Sequence, residues 1–250
     1  MGGTLKLKDA IASMGAHKAT AVAANYAEIV GVDWQGGARY VFEAIVFDPE
    51  RVPANIGGAR DSAHAAIKKW VLKYQRGYEG RASVRISNPP GTVADPVIEK
   101  IIAARLEGLS YEDLQRITYA HRLAMSAENI LGLILEEYLA VSLKGHGWHC
   151  AWGETVKSVD FVHEDGRLLQ VKNRSNSENS SSSTVRAGTV IEKWFRIKAD
   201  RIQYMWDGLN EICGTTSLSE ESFVAFVSAT VSSNPDCLCM EEGNVWSGPS

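Results

Sequence analysis

The chain has 250 residues, 45% of them hydrophobic and 22% charged, a balance that fits one globular domain or a core with an attached subdomain. It contains no apolar run of about 18 residues, which argues against a membrane-spanning helix, and its first residues, MGGTLKLKDA, lack the apolar centre of a secretory leader. The net charge of -4 argues against a protein that coats nucleic acid indiscriminately.

Four cysteines are scattered. Cys237 and Cys239 have no second pair at zinc spacing, so the expectation is free thiols in a reduced, cytoplasmic setting. Charge is unevenly placed. Between Arg167 and Arg201 stand eight bases and three acids, a local excess of +5, so the remainder carries -9. Such a patch suits one cleft that grips phosphates, or a solvated helix face.

In chain order, residues 5–30 read as a helix and Tyr40–Phe47 as a strand. Pro49, Pro53 and Gly57-Gly58 break the chain, and residues 59–75 read as a helix. A short strand is expected at residues 82–86. Asp95 with Pro96 opens a helix to Leu106, and Ser110 with Asp113 forms a capping box that opens a helix to Met125. Ser126 is expected to cap a separate, largely buried helix, Ala127–Leu143, with Glu128, Gly132 and Glu136 near one edge of its apolar arc and Glu137 well away. A strand follows at Trp148–Trp152. Residues 189–206 read as a basic, aromatic helix and Phe223–Val231 as a strand. The fold class is α/β: a mixed central sheet flanked by helices. Residues 1–94 form an N-terminal region without an assigned role, and residues 95–250 form the functional core.

The most informative stretch is SVDFVHEDGRLLQVKNRSNSENSSSSTVR, residues 158–186. Two apolar runs, Val159–Val162 and Leu168–Val171, flank Glu164-Asp165-Gly166, a hairpin signal. Strand alternation puts Gln170 and Lys172 on one face and Leu169 and Val171 on the other. A two-residue turn would pair Asp160 with Val171, on the wrong face. A three-residue loop with Gly166 at positive φ pairs Asp160 with Gln170. The second register is expected, because an acid beside Gln-x-Lys makes a Mg²⁺-dependent phosphodiesterase site. Asp160, the Gln170 amide oxygen and the Val171 carbonyl are the candidate metal ligands. Lys172 orients the attacking water and stabilises phosphate charge. Glu136 is the candidate helix carboxylate, with Glu128 in reserve. The plain alternative is a surface hairpin followed by a serine linker.

The runs AENILGLILEEYL, SVDFV and LLQVKNRSNSENSSSSTVR, with KWFR after them, resemble the SinI-like type II restriction endonucleases of the PD-(D/E)xK nuclease superfamily. The similarity covers residues 126–201. Val159 stands where the superfamily has proline, and Gln170 where it has an acid, which puts metal stoichiometry in question. The resemblance implies a PD-(D/E)xK core and a homodimer that cuts both strands of double-stranded DNA at a short palindrome with Mg²⁺. For the SinI group that palindrome is GG(A/T)CC. A cognate DNA methyltransferase would act in the same system, without a stable complex.

Residues 173–186 are then the recognition segment. Arg174 and Arg186 suit guanine, Glu178 suits cytosine, and Asn176 and Asn179 suit adenine. Ser180 and Lys193 suit phosphates. Two other readings stay open: a structure-specific resolvase or repair nuclease, and a non-catalytic DNA-binding protein with a decayed site. A DNA methyltransferase is excluded by the lack of a Gly-rich cofactor loop and a Pro-Cys motif.

Overall fold

The structure, a computed structural model, describes residues 5–58, 61–88, 95–174, 190–198 and 200–240. A four-stranded sheet lies between two helical layers. Its strands are β3 (Trp148–Cys150), β4 (Phe161–His163), β5 (Leu168–Arg174) and β6 (Ile191–Ile197), in the order β3-β4-β5-β6. The first two pairings are antiparallel and β5–β6 is parallel. A two-residue pair, β1 (Leu5–Lys6) with β2 (Gly57–Gly58), lies apart from it.

Strand alternation sorts the core. Val162, Leu168 and Ile191 face a cluster built by α1 (Leu7–Met14), α2 (Ala16–Val30), α3 (Arg39–Phe47) and α4 (Ala63–Glu79). Phe161, Leu169, Val171 and Trp194 face the opposite cluster. That cluster is built by the second half of α6 (Tyr111–Leu143), α7 (Trp206–Cys213) and α8 (Glu220–Ser233). No described helix is long and apolar enough to cross a membrane. All four cysteines are free.

Several expectations give way to tertiary context. The long N-terminal helix breaks at Gly15, whose φ of 79° ends α1 before α2 begins. Residues 40–47 are helical, not extended: Val41, Phe42 and Ile45 are buried at helical spacing, and their β-branched and aromatic character serves that buried stripe. Residues 82–86 make turns in place of a strand. Ser126 starts no helix. It is buried within α6, because neither proline nor a competing cap interrupts residues 111–143. The capping box of Ser110 with Asp113 and the Asp95 cap ahead of α5 (Pro96–Arg105) form as expected.

The basic aromatic helix is instead strand β6. Pairing with β5 buries Ile191 on one face and Trp194 on the other, and the Trp194 indole donates to the Met205 carbonyl at 2.7 Å. Phe223–Val231 lies within helix α8, opened by Ser219 with Glu220 and Glu221 in its first turn, a signal that the apolar content masks.

Candidate active site

The hairpin pairs Phe161 with Leu169 and Val162 with Leu168, the register of a three-residue loop, and the paired strand ends there, one residue short of the expected Asp160–Gln170 pair. The loop has three residues: His163 N–H donates to the Arg167 carbonyl at 2.9 Å, and Gly166 has φ 94°. Asp165 accepts from the Arg167 N–H at 3.1 Å and His163 caps the turn, so these residues have structural roles.

The Asp160 N–H donates to the Leu169 carbonyl at 2.9 Å, so Asp160 and Phe161 both face Leu169 and the regular ladder is interrupted at Asp160. Its carboxylate then turns in along the strand edge, where Oδ2 accepts from the Val171 N–H at 2.7 Å. The N–H and C=O of one residue leave an antiparallel strand on the same side, so the Val171 carbonyl also faces Asp160. Gln170 is only 5% exposed, and Lys172, two residues on, is half-buried on the same face.

Glu136 reaches the same place from α6. Burial pushes its carboxyl up to about 8, the charge of Asp160 adds to the shift, Lys172 opposes it and Glu154 reinforces it. Asp160 is also raised by burial, but the Val171 N–H and Lys172 hold it down. The charge of Asp160 is thus one cause of the shift at Glu136, while both carboxyls are raised chiefly by burial. Glu128 is exposed, about two turns earlier along α6, and has no comparable place.

Glu137 has a different task. Its carboxylate accepts from the Ser83 N–H at 2.9 Å and from the Ser83 hydroxyl, and pairs with Arg81 at 3.3 Å. It braces the 81–83 turn. A cavity of about 550 Å³ opens beside it, lined by Tyr74, Arg81, Trp148 and His149, and touches none of Asp160, Gln170, Lys172 or Glu136. The cavity is therefore separate from the Asp160 edge.

Sequence reasoning misses Glu154. It sits in the bend between β3 and β4 with φ 55°, one of two non-glycine residues among those described with positive φ; the other is Ser158 in the same bend. Its charge raises both Glu136 and Asp160. The bend is clamped to α4. A Cβ on Gly77 would lie 2.1 Å from the Gly153 nitrogen, and Lys73 donates to the Glu154 carbonyl at 3.2 Å. The only local signal was Gly153 next to an acid.

Lys193 is exposed on β6 as the register partner of Gln170. Phe195 partners Lys172. Arg174 is exposed at the end of β5. Asn176, Glu178, Asn179, Ser180 and Arg186 lie outside the described residues.

Among the described residues no group of three or more His, Cys, Asp or Glu stands together to hold a metal. A cation at this edge would rest on the Asp160 carboxylate, the Gln170 amide and the Val171 carbonyl, with water completing the shell. All three are hard oxygen donors of the kind Mg²⁺ takes. Two desolvated carboxylates with raised pKa values also call for positive charge beside them, so the residues fit a divalent cation.

The match to known proteins follows the same elements. The family model of the SinI restriction endonuclease matches residues 48–233, from the end of α3 through α8. The chain belongs to the SinI restriction endonuclease family. Two curated relatives are the type II restriction enzyme Eco47I of Escherichia coli, 45% identical over 148 residues (57% of this chain, 64% of the relative), and the type II restriction enzyme SinI of Salmonella infantis, 43% identical over 144 residues (56% and 62%). The chain thus spans a little under two thirds of the length of these relatives.

Proposed function

We propose that this protein is a type II restriction endonuclease with a PD-(D/E)xK core, which makes Mg²⁺-dependent double-strand cuts in DNA at a short palindrome, GG(A/T)CC. The observation that supports the reading is the Asp160 carboxylate held at 2.7 Å on the N–H of Val171, which lies between Gln170 and Lys172 in sequence, in a chain of this family. Both relatives bear the name of type II restriction enzymes.

Asp160, Gln170 and the Val171 carbonyl would hold the Mg²⁺. When bound, that ion supplies electrophilic stabilisation of the phosphate and lowers the pKa of water at the site. Lys172 donates to a phosphate oxygen or to the attacking water and offsets the charge that builds in the transition state. Glu136, once ionised, accepts a hydrogen bond from that water and orients it. Gln170 leaves the site one negative charge short of a two-carboxylate site, so metal affinity is correspondingly weak.

Residues 173–186 form the recognition segment: Arg174 and Arg186 for guanine, Glu178 for cytosine, Asn176 and Asn179 for adenine, and Ser180 for phosphate. Lys193, in the row with Gln170, meets the phosphate backbone. The working form is a homodimer whose two-fold matches the palindrome, and a DNA methyltransferase of the same system protects host sites.

Digestion of plasmid and phage DNA with Mg²⁺ and with EDTA tests the reading. Discrete Mg²⁺-dependent fragments with ends at GG(A/T)CC are expected. Discrete ends elsewhere discard the site and keep the enzyme. Cutting confined to branched DNA selects a structure-specific nuclease. Binding without cutting selects a decayed site at Gln170.

A further inference from the structure

Helix α5 and the first half of α6 stand off the rest of the molecule as an arm. No residue of α5 is buried, and the first buried residue of α6 is Ser126, about four turns in. The two helices touch each other, with the Thr118 hydroxyl donating to Glu99 at 3.2 Å, while Ile102 and Ala103 are half-covered. The outward face is apolar. Val97 and Ile98 are each 54% exposed and Ile101 63%, at the spacing of one helical face, and Leu106, Ile117 and Met125 are also exposed.

A two-helix arm with so little covered apolar surface has little to hold it in water. The exposed side chains make a patch on the order of several hundred Å², above the level that monomers leave open. That is the scale of one side of a standard interface, roughly 800 Å² per partner. Residues 95–125 carry five acids and four bases, too balanced for a DNA backbone surface. The charges are ordered along α6: Glu112 and Asp113 open it, and Arg116 and Arg122 follow. Glu112 pairs with Arg116 at 3.0 Å and Asp113 accepts from Ser110 at the helix start, so these charges are engaged locally and the apolar side chains are the surface left to cover.

We propose that the α5–α6 arm is the dimerisation surface, packing against the same arm of a second copy as a four-helix interface. The inference rests on the reading of this protein as an enzyme that cuts a palindrome, and it gives that reading its two-fold axis.

Sedimentation velocity of the full chain, without DNA or metal, tests it. The wild type is expected to be a dimer at micromolar concentration. Ile101→Glu is expected to weaken dimerisation at least tenfold while the sheet and its two helical clusters stay folded by circular dichroism, because Ile101 is 63% exposed and belongs to neither core cluster. Ile101→Ala, which keeps helix propensity, is expected to weaken it less and serves if the charged variant fails to fold. A monomeric wild type, or variants that dimerise like the wild type, would overturn the proposal. Cleavage assays on the same samples separate the two claims. A dimer that Ile101→Glu breaks but that cuts no DNA retains the surface and loses the enzyme. A cutting protein whose Ile101→Glu variant stays dimeric loses only the surface.

Discussion

The Val171 N–H donates to Asp160 Oδ2 at 2.7 Å across the last step of the β4–β5 ladder. One backbone donor therefore fixes a buried carboxylate and aims the Val171 carbonyl at the same edge. Burial raises Asp160, so its ionised form is disfavoured in the fold. Asp160→Asn removes that penalty while preserving shape. The variant is expected to lose Mg²⁺-dependent cleavage by at least ~10³-fold. Its thermal midpoint in metal-free buffer at pH 7–8 should rise by roughly 2–4 °C per kcal/mol relieved. Calorimetry beside a cleavage assay reads both, and a variant that is less stable as well as inactive would count against a functional burial of Asp160.

Glu136 gives the pH dependence. Its carboxyl lies near 8 in the fold, against an ordinary value of 4.5. A group raised on folding adds stability that is fully present below its unfolded pKa and is lost as pH rises through the folded one. Metal-free stability should therefore fall between about pH 4.5 and pH 8, and Glu136→Gln should flatten the slope. Divalent-cation affinity should run the other way, rising as pH approaches 8, because the cation displaces the proton. Chemical denaturation at several pH values and titration calorimetry with Mn²⁺ check the two slopes.

Gln170→Glu places a second carboxylate on β5 next to the Val171 donor of Asp160. Mn²⁺ should bind about tenfold more tightly or better, since an added charge in a partly buried site contributes ~1–2 kcal/mol after screening. The metal-free protein should be less stable, because a third desolvated acid joins Asp160 and Glu136. Unchanged Mn²⁺ affinity would place the cation away from Gln170.

The adjacent carboxylates of α6 should behave in opposite ways. Glu137 carries the Ser83 and Arg81 contacts, so Glu137→Ala should cost ~1–3 kcal/mol, mainly through the lost hydrogen bonds to Ser83. Glu136→Gln should cost little stability and should reduce cleavage. Denaturation midpoints of the two variants decide it.

Much of the site is legible in the sequence because it is local. Turn residues Glu164-Asp165-Gly166 and the apolar alternation give the three-residue loop and the pairing of Phe161 with Leu169, both observed, whereas the interruption at Asp160 leaves no mark in the local pattern. The caps at Asp95 and Ser110 are equally local. What escapes depends on distant partners. IEKWFRI is a strand because β5 lies beside it, RYVFEAIVF is a helix because its buried stripe meets α4, and Glu154 belongs to the site only through a bend held by another helix. No window of sequence contains those partners.

The clamp of Gly77 on Gly153 bears on recombination among relatives. The two backbones meet with no room for a methyl group, 76 positions apart in the chain. A chimera that takes its α4 from a relative with a larger residue at position 77 would shift the 153–160 bend and move Asp160 off its Val171 donor, although every residue of the hairpin was kept. Modular exchange between these enzymes should therefore succeed when both contact points travel from one parent, and crossovers between them should yield folded, inactive proteins.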